Sequence, residues 1–200
     1  MEQKDIDSTI WLTFIKGDKE AFAALYRLHS IPLIHYGLKI SGDQEAVKDA
    51  IQDLFVELWN SREKLAAVES VKFYLFVALR YKLIRSEKKR YQRSPLSIIY
   101  SSPTFNPFEN PVESIIIDKE THDRQVNTLH RALKSLTKRQ QEVVQLRFFQ
   151  GFSNDQIAAL MNMNYQSVSN LMYSALSRIK ETLKAPDFSF LLSAICFLFA

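Results

Sequence analysis

The chain has a single cysteine, Cys196, which excludes a disulfide framework and a thiolate metal site alike. Its 4 Gly and 6 Pro are few for 200 residues, and four of the prolines fall in one short stretch. A turn-rich β fold is therefore disfavoured, and long uninterrupted segments remain for helices. There is no Gly-rich phosphate loop and no GxSxG nucleophile turn. The four histidines (His29, His35, His122, His130) show no recurrent ligand spacing. Nothing argues for an enzyme, and no metal, cofactor or small-molecule substrate is expected. The opening MEQKDIDSTIW lacks the basic and apolar regions of a secretory signal, so a reducing cytoplasm is the expected compartment.

What is present is a large apolar fraction, 46%, enough for real cores. The net charge is only +4, which permits nucleic-acid binding without demanding it. Its distribution says more. Residues 72–93 hold eight Lys/Arg against one acid, Glu87. So basic a strip calls for an anionic partner, and the competing reading is a solvated helix end running into a linker.

Periodicity gives an all-α fold: two small helical domains joined by a flexible Pro-rich linker, the second a helix-turn-helix domain. The expected divisions are 6–93, the linker 94–122, the second domain 123–184 and an apolar tail 185–200. In the first domain three apolar faces are expected: Phe22, Leu25, Tyr26 and Leu28; then Val47, Ala50, Ile51, Leu54, Phe55 and Leu58; then Phe73, Phe76, Val77, Leu79 and Ile84. Ser41-Gly42-Asp43 breaks the first helix from the second and offers an N-cap. Residues 60–71 are weakly periodic and predict a loop with a turn of helix. Pro95, Pro103, Pro107 and Pro111 forbid a continuous helix across 94–111, and helix resumes near Ile115.

The second domain carries the most specific pattern. A helix-turn-helix needs a small residue where its helices touch, a left-handed position in the turn and an apolar inner face on its second helix. Ala158 meets the first demand and Asn162, four residues on, meets the second. Ser153 and Gln156 predict a capping box, and Asn164 the N-cap of the second helix. Val168, Leu171, Met172, Ala175, Leu176 and Ile179 form the inner face. Gln166, Ser167, Ser169, Asn170, Tyr173 and Ser174 then point outward, where amides and hydroxyls read base edges. Lys138, Arg139, Arg147 and Arg178 flank the motif as phosphate ligands. The bland alternative is a helical hairpin with a polar exterior. No Lys or Arg occurs in residues 163–177, so autonomous DNA affinity should be low.

Three stretches resemble the extracytoplasmic-function sigma factors. AVKDAIQDLFVELW (46–59) is similar to the family's polymerase-binding helix, with Ala46, Asp49, Gln52, Asp53 and Phe55 in place. The resemblance implies that Asp49, Gln52 and Asp53 face the clamp helices of the largest polymerase subunit, while Trp59 reads as core. YLFVALRYKLIRSEKKR (74–90) resembles the promoter-melting and −10-reading helix, with Tyr74, Leu75 and Arg80 in place. Its implied DNA ligands are Lys72, Tyr74, Arg80, Tyr81, Arg85, Lys88, Lys89 and Arg90. Tyr81 stands where many relatives have Asn, and can stack on an unpaired base. Arg85 stands where an Asp is common. The family captures a flipped base largely in the loop matched by residues 60–71, so that binding energy offsets lost stacking.

Residues 129–180 resemble the −35-reading domain, without the usual Pro after Leu136. Its implied ligands are Arg139, Arg147, Gln166, Ser167, Ser169, Asn170, Tyr173 and Arg178. Ser169, Leu171 and Ser174 stand where relatives often carry basic residues. The implied partners are core RNA polymerase, promoter DNA and an anti-sigma factor, the last able to hold the protein at the inner membrane. Two rival readings are an operator-binding dimeric regulator and a helical adaptor. The first leaves the Asp49–Gln52 face unexplained, and the basic strip counts against the second. The uncharged run 188–200 is shorter than the ~20 residues of a membrane span. It reads as a segment packed on the second domain or a partner, an anti-sigma contact or a membrane-surface element.

Overall fold

The computed structural model describes residues 2–93 and 131–183, with side chains over 6–86 and 131–183. Every regular element among the described residues is helical. The chain divides into two compact units, Met1–Phe105 and Asn106–Ala200, and the division falls inside the Pro-rich segment. That segment, the helix expected near Ile115 and the apolar tail lie outside the described residues.

The first unit contains α1 (Glu2–Phe14), α2 (Lys19–Ser41), α3 (Gln44–Ser61), a 3-10 turn (Arg62–Lys64) and α4 (Val71–Arg93). The sequence marks only the break before α3, and the structure adds another at Gly17. There φ is 95°, a value that only Gly adopts without strain. Asp18 then caps α2, accepting from the Ala21 N–H at 2.7 Å. The break at 41–43 is as expected. Gly42 closes α2 at φ 68° with its N–H on the Leu38 carbonyl, and Asp43 caps α3 through the Ala46 N–H. Pro32 lies inside α2, where it removes one ladder donor at a cost of about 3 kcal/mol. The packing of α2 against α1, α3 and α4 offsets that cost.

The α3 face is buried as expected, from Val47 to Leu58. The other two faces are rotated from expectation. On α2 the buried stripe is Ala21, Leu25, His29, Leu33 and Tyr36, while Tyr26 and Leu28 are exposed. A polar residue, His29, occupies a core position that a count of apolar residues skips. On α4 the core side is Val71, Leu75, Phe76, Leu79 and Leu83; Phe73 and Ile84 are half-buried and Val77 is exposed. Each fully buried side chain of this kind contributes about 1.5–3 kcal/mol, so the choice of face decides the fold of the unit. Gly37 allows α2 to lie close to α3: a Cβ there would stand 2.7 Å from Val47 Cγ1.

The second unit shows helical residues 131–134, α5 (Lys138–Val144), a π turn (Gln145–Phe149), α6 (Asn154–Met161) and α7 (Tyr165–Thr182). Thr137, at the position where Pro is missing, is the N-cap of α5 and forms a full capping box with Gln140. Gln141 closes the preceding helix by donating from Nε2 to the Leu133 and Leu136 carbonyls, both at 3.1 Å. Gly151, at φ 71°, turns the chain into α6.

Candidate functional site

Between α3 and α4 runs a groove of about 640 Å³. One wall is a carboxylate stripe at four-residue spacing, Asp49, Asp53 and Glu57, and the other carries Tyr74, Tyr81, Lys82 and Arg85. Lys82 ties the walls together by pairing with Glu57. Among the described residues Asp49, Asp53 and Arg85 have no ion-pair partner. All three side chains are exposed, as is Gln52, which stands outside the groove lining. The polymerase-type and DNA-type residues expected from sequence therefore meet at one surface.

The DNA-type residues of α4 separate into two sets. Tyr81 is 65% exposed and Arg85 is exposed beside it, with Arg80 half-buried. Lys88, Lys89 and Arg90 continue α4, with side chains outside the described residues. Lys72 and Tyr74, expected as DNA ligands, are half-buried as Arg80 is. Burial lowers the Lys72 pKa, with the Asp7 carboxylate opposing. Burial, and after it the Glu57 charge, raises that of Tyr74. His29 lies in the same region, its Nε2 3.5 Å from Asp7 and without a hydrogen-bond partner. Desolvation lowers its pKa, Asp7 works against this, and Lys72 lowers it further. Asp7, His29 and Lys72 thus bring α1, α2 and α4 together.

The loop between α3 and α4 is held from several sides. Arg62 lies over the Trp59 ring at 4.7 Å and donates to the Trp59 carbonyl at 2.8 Å. Trp59, expected in the core, is half-buried and packs on Phe22 at 5.1 Å. Ser70 caps α4 by accepting from the Phe73 N–H at 3.2 Å. The indole of Trp11 donates to the Ala66 carbonyl at 3.0 Å. Trp11 escaped the sequence reading, because no local pattern links it to a loop 55 residues away.

In the second unit the helix-turn-helix is built as its residues require. Ser153 and Gln156 form both bonds of the capping box. Asn162, at φ 53° and ψ 54°, is the only non-Gly residue with positive φ among those described. The Met163 N–H donates to the Ala158 carbonyl at 2.9 Å and the Asn162 N–H to that of Ala159 at 3.3 Å, the Schellman pairing. Asn164 caps α7 through the Ser167 N–H at 2.7 Å. Val168, Met172, Ala175 and Ile179 are buried; Leu171 and Leu176 are half-buried. Replacing Asn162 by Val should lower the stability of this unit by about 2 kcal/mol, whereas Gly should be near neutral. Thermal unfolding of the full chain, followed by calorimetry, checks the pair; equal melting of both variants would contradict it.

Outward, Tyr173 is 76% exposed, and Gln166 and Asn170 are exposed but bonded to each other at 3.1 Å. Ser167 and Ser169 are half-buried. Ser174 accepts from Gln140 Nε2 at 2.8 Å, which ties α5 to α7. Arg139 and Arg178 are exposed. Arg147 is exposed and donates to the Phe152 carbonyl at 3.1 Å, so it already braces the turn before α6.

Residues 25–93 match the Sigma-70 region 2 family, and residues 127–179 match Sigma-70, region 4. The chain belongs to the extracytoplasmic-function sigma factors. It is 23% identical over 162 residues to the ECF RNA polymerase sigma factor SigL of Mycobacterium tuberculosis, strain H37Rv, spanning 80% of this chain and 88% of that one. Two solved structures share the fold of this sigma factor. One is the sigma factor RpoE in complex with the anti-sigma factor NepR from Bartonella quintana, at TM-score 0.61 and 21% identity, covering 82% of this chain and 97% of that one. The other is CnrH in complex with the cytosolic domain of CnrY, at TM-score 0.55 and 17% identity, covering 94% and 97%. A sigma factor brings core RNA polymerase to promoter DNA, where transcription starts. Helices α3 and α4 belong to region 2, and α6 and α7 to region 4; α1 precedes the matched residues.

Proposed function

We propose that this sigma factor divides its work between residues 6–93 and 123–184. The first part binds core polymerase through Asp49, Gln52 and Asp53 and opens the −10 element with Arg80, Tyr81, Arg85 and the basic end of α4. The second reads the −35 element through Gln166, Ser167, Ser169, Asn170 and Tyr173, with Arg139, Arg147 and Arg178 on phosphates. Lys72 and Tyr74, half-buried like Arg80, belong to the same −10 set, Tyr74 from the wall of the groove. The observation that carries this reading is the α3–α4 groove, where Asp49 and Asp53, without ion-pair partners among the described residues, share the lining with Tyr81 and Arg85. Polymerase docked on α3 would deliver the opening strand to the adjoining face of α4.

The protein acts by binding alone. Capture of an unstacked base on Tyr81 offsets lost stacking, at about 1–3 kcal/mol per base. The two fold neighbours solved with partner proteins, one of them an anti-sigma factor, support control by an anti-sigma factor. No helix among the described residues is long and apolar enough to cross a membrane. The test is transcription by the protein reconstituted with core polymerase, on a promoter selected from a randomised library. Tyr81→Ala should slow open-complex formation on duplex DNA about tenfold or more, and a pre-melted template should restore it. Equal loss on both templates would place Tyr81 outside the melting step.

A further inference from the structure

We propose that α1 is a positioning element for the loop that follows α3, with Trp11 as the residue that transmits its effect on promoter opening. This rests on the reading of residues 60–71 and α4 as the −10-opening surface. The family match begins at Leu25, so α1 lies outside it, yet α1 holds that surface at three points. Phe14 reaches the end of α3, with its ring 6.4 Å from Trp59. Trp11, only 1% exposed, donates its indole N–H to the Ala66 carbonyl in the middle of the loop. The same ring meets Tyr74 edge-on at 5.3 Å, at the start of α4. Asp7, 3.5 Å from His29 of α2, adds a charge that acts on Lys72, two residues before Tyr74.

The loop needs such a brace. Residues 65–70 read LAAVES, with no Gly, Pro or aromatic side chain to set their backbone. Ala66 and Ala67 are exposed and Leu65 and Val68 only half-buried, so burial holds the middle of the loop weakly. The 3-10 turn fixes the loop at its start through the Leu65 N–H on the Arg62 carbonyl, and the Ser70 cap fixes its end. Between those two ties the Trp11 indole supplies an anchor from a different element. A base-capturing loop that is not held must be ordered when DNA arrives, and that ordering subtracts from the energy available for opening.

The experiment separates the hydrogen bond from the packing. Trp11→Phe keeps an aromatic ring in the core and removes the N–H. Benzothienylalanine at position 11, with sulfur in place of the N–H, does so with almost the same shape. In the free protein, amide hydrogen exchange over residues 65–70 should rise about three- to tenfold in both variants. Affinity for core polymerase should stay within about twofold, because the Asp49–Gln52 face is untouched. Open-complex formation on the duplex promoter should slow by about the same three- to tenfold, and a pre-melted template should restore it.

Unchanged exchange at 65–70 in the benzothienylalanine protein overturns the proposal at its physical root. Faster exchange with unchanged opening, while Tyr81→Ala does slow opening, overturns the functional half alone. If Tyr81→Ala leaves opening untouched as well, the −10 reading of α4 fails and takes the role of Trp11 in opening with it. The exchange data then still decide whether Trp11 holds the loop.

Discussion

If α3 docks on core RNA polymerase as proposed, replacing Asp49 and Gln52 together by Ala should lower the affinity about 100-fold or more. Hydrogen bonds to charged groups are worth about 1.5–3 kcal/mol each, so two lost together reach that factor even at the lower bound. The free protein loses almost nothing. Both side chains are exposed, and Asp49 has no ion-pair partner among the described residues, so the folded state should change by no more than about 0.5 kcal/mol. Glu57 serves as the internal control. It belongs to the same carboxylate stripe but is committed to Lys82, and Glu57→Ala should therefore act first on the α3–α4 tie. Titration of labelled protein with core polymerase at one fixed salt concentration measures all three. If the double variant binds within about threefold of wild type with its helical content intact, α3 does not dock through this face.

The second large effect is on stability. Gly37→Val should cost the first unit about 3 kcal/mol or more, which lowers its melting temperature by more than about 12 °C. A Cβ at this position would lie 2.7 and 3.2 Å from the two Val47 methyls and 3.4 Å from Leu83 Cδ1. Val47 is fully buried and β-branched, so it has no second rotamer in a helix to retreat to. Helix propensity alone predicts the opposite sign for the smaller change Gly37→Ala, a gain of about 1 kcal/mol. The steric term outweighs it, because α2 must move away from α3 and take its other contacts along. Val47→Ala removes the obstructing methyls, so the double variant Gly37→Ala/Val47→Ala should lose much less than the two single changes summed. Additive losses, read from calorimetry of the full chain, would argue that the helices already stand apart.

How much of this was legible in the sequence depended on the range of each interaction. The helix-turn-helix could be read almost whole, since Ser153, Gln156, Asn162 and Asn164 act on backbone groups within three or four residues of themselves. The α3 stripe was legible for a related reason: its inner positions are uniformly apolar, and its outer ones are polar apart from the exposed Val56. The faces of α2 and α4 were misjudged where polar groups lie inside. His29 stands in the buried stripe of α2, and Lys72 is half-buried on α4, so both helices looked rotated by about one residue. Trp11 and Gly37 were out of reach altogether. One bonds a carbonyl 55 residues away, and the other matters only because another helix lies against it. The candidate surfaces divide in the same manner. Asp49, Asp53 and Tyr81 line the α3–α4 groove, while Lys72 and Tyr74 are half-buried and Arg147 braces a turn.

If α7 reads the −35 element as proposed, the Gln166–Asn170 bond gives it a resident competitor. Both amides are best suited to adenine, yet at rest each already satisfies part of the other. A base must therefore displace an internal partner, and the exchange returns little net energy for a correct match. A wrong base does worse, because it separates the pair and leaves unsatisfied amides at a dry interface. Such a surface selects by rejection more than by attraction: nearly silent on most DNA, it depends on its carrier to remain at a promoter long enough for the right sequence to be felt.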